Sequence, residues 1–287
     1  MVKRIKDSFF KSPYRSTKHS SYFNSYESLF SSFIDKKITF IEIGVLNGGS
    51  LFMWRDYLGD NARIIGIDNN PEATRWKKYG FEIFIGDQGD PNFWHSIHKE
   101  IGSVDVVLDD GGHLDFQQII TLVENAKFIN NKGLIVIEDT HASYKKEFGN
   151  PSKYSFINFV FNLINRINYR SGALKSKLQN KALDLPISEI RIFESICAFK
   201  VDRENSYISN SVENNGEDLK IKDFRFENTN IKNYKSLIYR FRFLKKILFL
   251  GTFINYIYVN LFRNKLHIIF LRLDRKKKIK KYFFKKI

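Results

Sequence analysis

The feature that most constrains this chain is an alternation. Five short apolar runs, 38–43 (ITFIEI), 63–67 (RIIGI), 82–85 (EIFI), 104–108 (VDVVL) and 133–137 (GLIVI), are separated by segments of helical length at 49–58, 71–79, 90–101 and 115–130. Runs of this kind are strands buried on both faces, and strands joined by helices run parallel. Asn70-Pro71 and Asp90-Pro91 each set a capping side chain before a proline, as helix starts do, and Gly133 stops the last helix. The pattern predicts an α/β fold with a mainly parallel, Rossmann-like sheet. Two further strands, 188–194 and 195–200, supply an antiparallel edge, and a helix spans Tyr154 to Tyr169.

Around this body the sequence predicts four regions: an N-terminal lid, 1–37, ending in a helix from Tyr22 to Ile34; a catalytic domain, 38–202; a polar, Asn-rich linker, 203–230; and a basic tail, 231–287. Charge sets the tail apart. Residues 232–287 hold 17 of the 47 Lys and Arg but one of the 31 acids, which leaves 30 of each sign in the rest of the chain. Within the tail, 247–262 (ILFLGTFINYIYVNLF) has no charge. Sixteen residues fall short of the ~20 that span a bilayer as a helix. An amphipathic, helical extension lying on an anionic membrane fits this pattern, and a helix docked on the catalytic domain is the alternative. The single cysteine, Cys197, allows no internal disulfide and suits a reducing cytoplasm. No apolar stretch follows the basic N-terminus to make a secretory signal. The expected location is therefore cytoplasmic, peripheral on the inner face of the cell membrane.

In open parallel sheets, ligands bind at the carboxyl ends of the strands. The first strand here runs into Glu42-Ile43-Gly44-Val45-Leu46-Asn47-Gly48-Gly49-Ser50. This glycine turn lets backbone approach a ligand at a helix N-terminus, but its spacing is not the G-x-G-x-x-G of dinucleotide binders. The second strand ends in Asp68, 24 residues after Gly44, where an acid accepts from ribose hydroxyls. The third ends in Gly86-Asp87-Gln88, placed to meet an adenine amine. The fourth and fifth end in Asp109-Asp110-Gly111-Gly112-His113 and Glu138-Asp139-Thr140-His141. Four carboxylates in one crevice repel unless a cation neutralises them, and hard oxygens suit Mg2+ or Mn2+. Asp109 and Asp139 also qualify as caps of the helices that follow.

These residues carry a specific resemblance. Glu42 to Ser50, Leu51 to Tyr57 (LFMWRDY), Gly86 to Pro91 (GDQGDP), Asp109 to His113 and Glu138 to Tyr144 (EDTHASY), with Lys18 to Phe30 and Ile187 to Lys200, resemble the macrocin and mycinamicin sugar O-methyltransferases and the cephalosporin hydroxylase-like proteins. The likeness covers roughly residues 14–202 and gives no counterpart for the tail. It implies a class I methyltransferase that uses S-adenosylmethionine. The cofactor contacts expected are Glu42, Gly44, Ser50, Asp68, Asp87, Gln88 and Asp109. Tyr22 either closes over the cofactor or is a core tyrosine. The resemblance further implies a metal held by Asp110, Glu138 and Asp139, with His113 as general base; the role of His141 stays open.

The expected acceptor is a sugar hydroxyl, on a surface polysaccharide or glycolipid if the tail holds the enzyme at a membrane. A nucleic-acid methyltransferase would use the basic tail on phosphates, but the body is neutral and the tail's apolar centre has no use on a duplex. A membrane-tethered, non-catalytic protein would not need the full acid cluster. A glycosyltransferase using Asp109-Asp110 leaves the Gly44 turn unexplained. The sequence leaves the oligomeric state open, a homo-oligomer included.

Overall fold

The computed structural model describes residues 4–148, 153–217 and 219–221. The chain divides into two units, Met1–Val212 and Glu213–Ile287. The fold described here belongs to the first; the expected amphipathic tail, 231–287, lies outside the described residues. Among the described residues no helix is long and apolar enough to cross a membrane.

The expected sheet forms with seven strands: β1 (Thr39–Ile43), β2 (Arg63–Asp68), β3 (Glu82–Ile85), β4 (Val106–Asp109), β5 (Leu134–Ile137), β6 (Ile187–Phe193) and β7 (Ile196–Val201). Their order is β3-β2-β1-β4-β5-β7-β6. The first five pair in parallel, and β7 lies antiparallel between β5 and β6. The direction of strand order reverses between β1 and β4, which opens a crevice there. The register brings Ile43 level with Ile67 on one side and Asp109 on the other, and Asp109 level with Ile137. The residues after each strand therefore emerge along one edge.

Side chains alternate across the sheet and feed two cores. Phe40, Val106, Leu108 and Val136 pack on one face, against α1 (Ile5–Lys11), α2 (Tyr22–Phe30) and α3 (Gly49–Leu58). Ile41, Ile43, Val107, Ile135 and Ile137 pack on the other, against α4 (Pro91–Ile101), α5 (Asp115–Phe128) and α6 (Phe156–Asn168). A short α7 (Ser176–Gln179) precedes the final hairpin.

Local chemistry explains the helix starts. Asp90 accepts from the Asn92 N–H, with Pro91 in the first turn, where its missing donor costs nothing. Asn70 accepts from the Glu72 N–H in the same manner. The segment it opens, Pro71–Tyr79, winds as a 3-10 helix. Its buried residues, Ala73 and Trp76, and half-buried Tyr79 recur every third position, which suits a turn of about three residues.

The N-terminal region is more tightly built than a lid alone requires. Ile5 is fully buried, and its N–H donates to Glu27, which also receives the Tyr57 hydroxyl. In α2, Tyr22, Tyr26, Leu29 and Phe30 form one buried stripe at helical spacing. The expected polar linker begins with ordered chain, since Ser209 exchanges backbone hydrogen bonds with Arg170 and Gly172.

Candidate active site

The glycine turn is fixed by contacts that only glycine tolerates. Gly44 has φ +87°, and a Cβ there would lie 2.1 Å from the Asp110 carbonyl oxygen. The β1 and β4 ends are thus pressed together at the crevice. Asp68 secures the turn from the next strand: its Oδ2 accepts from the Val45 and Leu46 N–H groups at 2.9 and 3.0 Å. Glu42 lies beneath, fully buried, and accepts from Ser50 Oγ at 2.8 Å and Trp54 Nε1 at 3.1 Å. Burial pushes its carboxyl up to about 7.

The third strand end is tied to the fourth by Gln88. Its amide donates to both Asp109 oxygens at 2.9 Å and to Thr121, while its carbonyl accepts from the Gly112 N–H at 2.9 Å. Asp109 is buried here and also receives the Gly111 N–H. Burial raises its pKa, and the hydrogen bonds from Gln88 and Gly111 work against that rise.

A cavity of about 580 Å³ opens above these strand ends. Of the residues the sequence singled out, Gly44, Ser50, Asp68, Asp87, Gln88, Asp110 and His113 line it. Glu42, Asp109, Tyr22, Glu138 and Asp139 do not; the first two support the turn from below, and the other three face the neighbouring cluster. Arg15, Ser16 and Thr17, from the chain between α1 and α2, close one side. Sequence reasoning assigned them nothing.

The acid cluster beside the cavity contains its own cation. Lys18, whose side chain is 1% exposed, donates to Asp110 Oδ2 at 2.6 Å and Glu138 Oε2 at 2.9 Å. Burial opposes its charge, but Asp110 and Glu138 outweigh burial and hold it protonated. Glu138 also accepts from the Tyr26 hydroxyl at 2.5 Å. Burial pushes Glu138 up to about 8, with Lys18 the main counterweight. Neither Lys18 nor Tyr26 was expected as a site residue. The available signal was that four acids at adjacent strand ends require a nearby positive charge.

Asp139 is the centre of the remaining polar groups. Its Oδ1 accepts from the Tyr22 hydroxyl at 2.5 Å, and its Oδ2 lies 3.4 Å from His113 Nε2. His113 and Asp139 both have left-handed backbone, φ +56° and +51°, a conformation that costs a non-glycine residue about 1–3 kcal/mol and clusters at functional sites. His113 Nδ1 is buried with no hydrogen-bond partner among the described residues. One ligand atom each from Asp110, His113 and Asp139 lie within 4.8 Å of one another, a spacing that suits a metal ion. Glu138 is not in that group. His141 rests on Ser195 Oγ through Nδ1 at 2.5 Å, and burial lowers its pKa.

No protein-family model matches the chain. Over 196 residues it is 26% identical to the 8-demethyl-8-alpha-L-rhamnosyl tetracenomycin-C 2'-O-methyltransferase of Streptomyces olivaceus, an alignment covering 65% of this chain and 51% of that protein. It is 28% identical over 131 residues to the mycinamicin VI 2''-O-methyltransferase of Micromonospora griseorubida, covering 43% and 32%. The chain thus spans about half or less of the length of these curated relatives. Among solved structures, the MycE methyltransferase of the mycinamycin biosynthetic pathway, in complex with Mg and SAH, superposes with a TM-score of 0.62 at 21% identity, covering 71% of this chain and 54% of that one. The fold is the Rossmann-like class I methyltransferase fold, and the chain's sequence relatives are sugar O-methyltransferases.

Proposed function

We propose that the chain is an S-adenosylmethionine-dependent O-methyltransferase that acts on a sugar hydroxyl with a divalent metal, Mg2+ or Mn2+. One observation carries this reading: the cavity walled by Gly44, Asp68 and Asp87 is lined also by Asp110 and His113, two members of the Asp110–His113–Asp139 group. The names of the relatives supply the substrate class.

The residues fit both groups. Backbone at the glycine turn can approach a nucleoside and amino-acid ligand closely, and Asp68, which accepts from Val45 and Leu46 through Oδ2 and from Asn70 through Oδ1, keeps one lone pair on Oδ1 for a ribose hydroxyl. Asp110 and Asp139 offer hard oxygens, and Mg2+ often takes one or two carboxylates and keeps several waters. Glu138, held by Lys18 and Tyr26, orients Asp110 across the shared ammonium and joins the metal shell if Lys18 releases it. When bound, the sulfonium supplies the methyl group and the metal lowers the pKa of the acceptor hydroxyl. His113 takes the hydroxyl proton, and Asp139 beside it stabilises the resulting imidazolium. The protein otherwise positions the acceptor oxygen in line with the methyl group. The acceptor is a surface polysaccharide or glycolipid, reached from the cytoplasmic face of an anionic membrane by the tail, whose 17 basic residues and uncharged centre support this placement.

The test uses purified full-length protein, methyl-labelled S-adenosylmethionine and extracted glycolipid and polysaccharide. Label enters a sugar, chelator stops it, Mg2+ restores it, and His113→Ala lowers the rate about 10²–10⁴-fold, the usual share of general-base catalysis. Full transfer in excess chelator removes the metal from the mechanism. Label entering RNA instead of sugar overturns the acceptor class, and failure to co-sediment with anionic vesicles overturns the membrane placement.

A further inference from the structure

A second set of metal-ligating side chains stands beside the one used above. One nitrogen each of His19 and His141 and one oxygen of Asp139 lie within 4.8 Å of one another. His19 Nε2 and His141 Nδ1 are 3.9 and 3.8 Å from the same oxygen, Asp139 Oδ1. The two rings are 5.5 Å apart and nearly perpendicular, at 88°. Asp139 therefore turns its Oδ1 to His19 and His141 and its Oδ2 to His113.

We infer that His19, Asp139 and His141 form a second cation position, selective for a divalent ion that favours imidazole, such as Zn2+. Two imidazoles and one carboxylate are a common protein set for such ions and a poor one for Mg2+. Metal–ligand bonds of ~2.0–2.1 Å in a tetrahedral shell put donors about 3.3 Å apart. The two distances to Asp139 Oδ1 exceed that by roughly half an ångström; rotation of the His19 ring, whose side chain is 63% exposed, closes one gap, and a turn of the His141 ring closes the other. His141 Nδ1 is engaged by Ser195 Oγ at 2.5 Å and exchanges that hydrogen bond for the ion. Asp139 is already oriented, since the Tyr22 hydroxyl donates to its Oδ1 at 2.5 Å. Outer hydrogen bonds of this type fix ligand direction at metal sites.

The position has a structural consequence. His19 lies two residues after the stretch Arg15–Thr17 that walls the large cavity, whereas Asp139 and His141 follow β5. An ion here fastens the N-terminal segment to the main sheet and so completes that wall. Its binding does not depend on methyl transfer, so its failure and the failure of the proposed activity are separately visible.

The experiment is a Zn2+ titration of the untagged full-length chain by calorimetry, in excess Mg2+ and without S-adenosylmethionine. The wild type takes up one Zn2+. His19→Ala, at an exposed position, weakens uptake by more than about 100-fold, beyond the 10–100-fold typical of an outer partner. Asp110→Asn leaves uptake within about threefold of the wild type, because larger losses follow only where a ligand or its support is removed. Hydrogen exchange of residues 15–20 slows on Zn2+ addition in the wild type and not in His19→Ala. No Zn2+ uptake in excess Mg2+, equal uptake by His19→Ala, or an equal loss in Asp110→Asn each overturns the inference.

Discussion

The two halves of the crevice are built from different materials. On the β1–β2–β3 side, the wall is mostly backbone: a glycine turn pressed on the Asp110 carbonyl, with Asp68 tying down its N–H groups. On the β4–β5 side, it is a network of charged side chains whose counter-ion, Lys18, arrives from 92 residues before Asp110 and 120 before Glu138. The first half owes its shape to steric limits and local hydrogen bonds. The second owes its shape to charge balance across the whole domain, and a single distant substitution should damage it most.

Lys18→Met is the strongest way to break this contrast. It leaves the fully buried Glu138 and the half-buried Asp110 without their ammonium, and loss of one partner from a buried ion pair costs about 3–5 kcal/mol. Thermal unfolding should show a large loss of stability, and Mg2+ should restore part of it by replacing the missing charge. A variant that melts like the wild type, with no response to Mg2+, would mean that the acid half does not rely on a remote cation.

Glu42→Gln tests the other half, with a smaller effect that depends on pH. The Glu42 carboxyl ionises near 4.5 when unfolded and at about 7 when folded. The folded state therefore holds the proton more tightly, and the stability this contributes is complete below 4.5 and lost as pH rises through 7. Gln keeps an uncharged side chain at every pH. Relative to wild type, the variant should gain stability between pH 5 and pH 8 by up to about 3 kcal/mol, at 1.36 kcal/mol per unit. Equal differences in melting temperature at both pH values would show that Glu42 is not held protonated.

The same contrast explains what could be read from the sequence. The strands and most helices follow from apolar periodicity, and Gly44, Asp68 and Asp87 follow from their places at strand ends, because these are local properties. Helix α1 leaves no periodic signal because it is short and only Ile5 and Ser8 of its residues are buried. Asp110 and His113 were legible as a motif and do line the cavity, whereas Glu42 and Asp109 share the strand ends but point into buried hydrogen bonds. Strand position gives the level of a residue along the sheet, while the direction of its side chain depends on partners elsewhere. Lys18 and Tyr26 were invisible for the same reason. Their roles exist only once α2 and the segment before it pack against the sheet and bring both side chains to Glu138, and nothing in their local sequence distinguishes them from a solvated lysine and a core tyrosine.

The central claim is that the backbone-built half holds S-adenosylmethionine while the charged half serves the metal. The most direct measurement is calorimetric titration of the full-length protein with S-adenosylhomocysteine and, separately, with Mg2+, for the wild type and Asp68→Asn. One S-adenosylhomocysteine should bind per chain, Asp68→Asn should weaken it by about 1–3 kcal/mol, the scale of a lost hydrogen bond to a charged group, and Mg2+ binding should not change. No binding of S-adenosylhomocysteine, or tight binding of NADH in its place, would contradict the account.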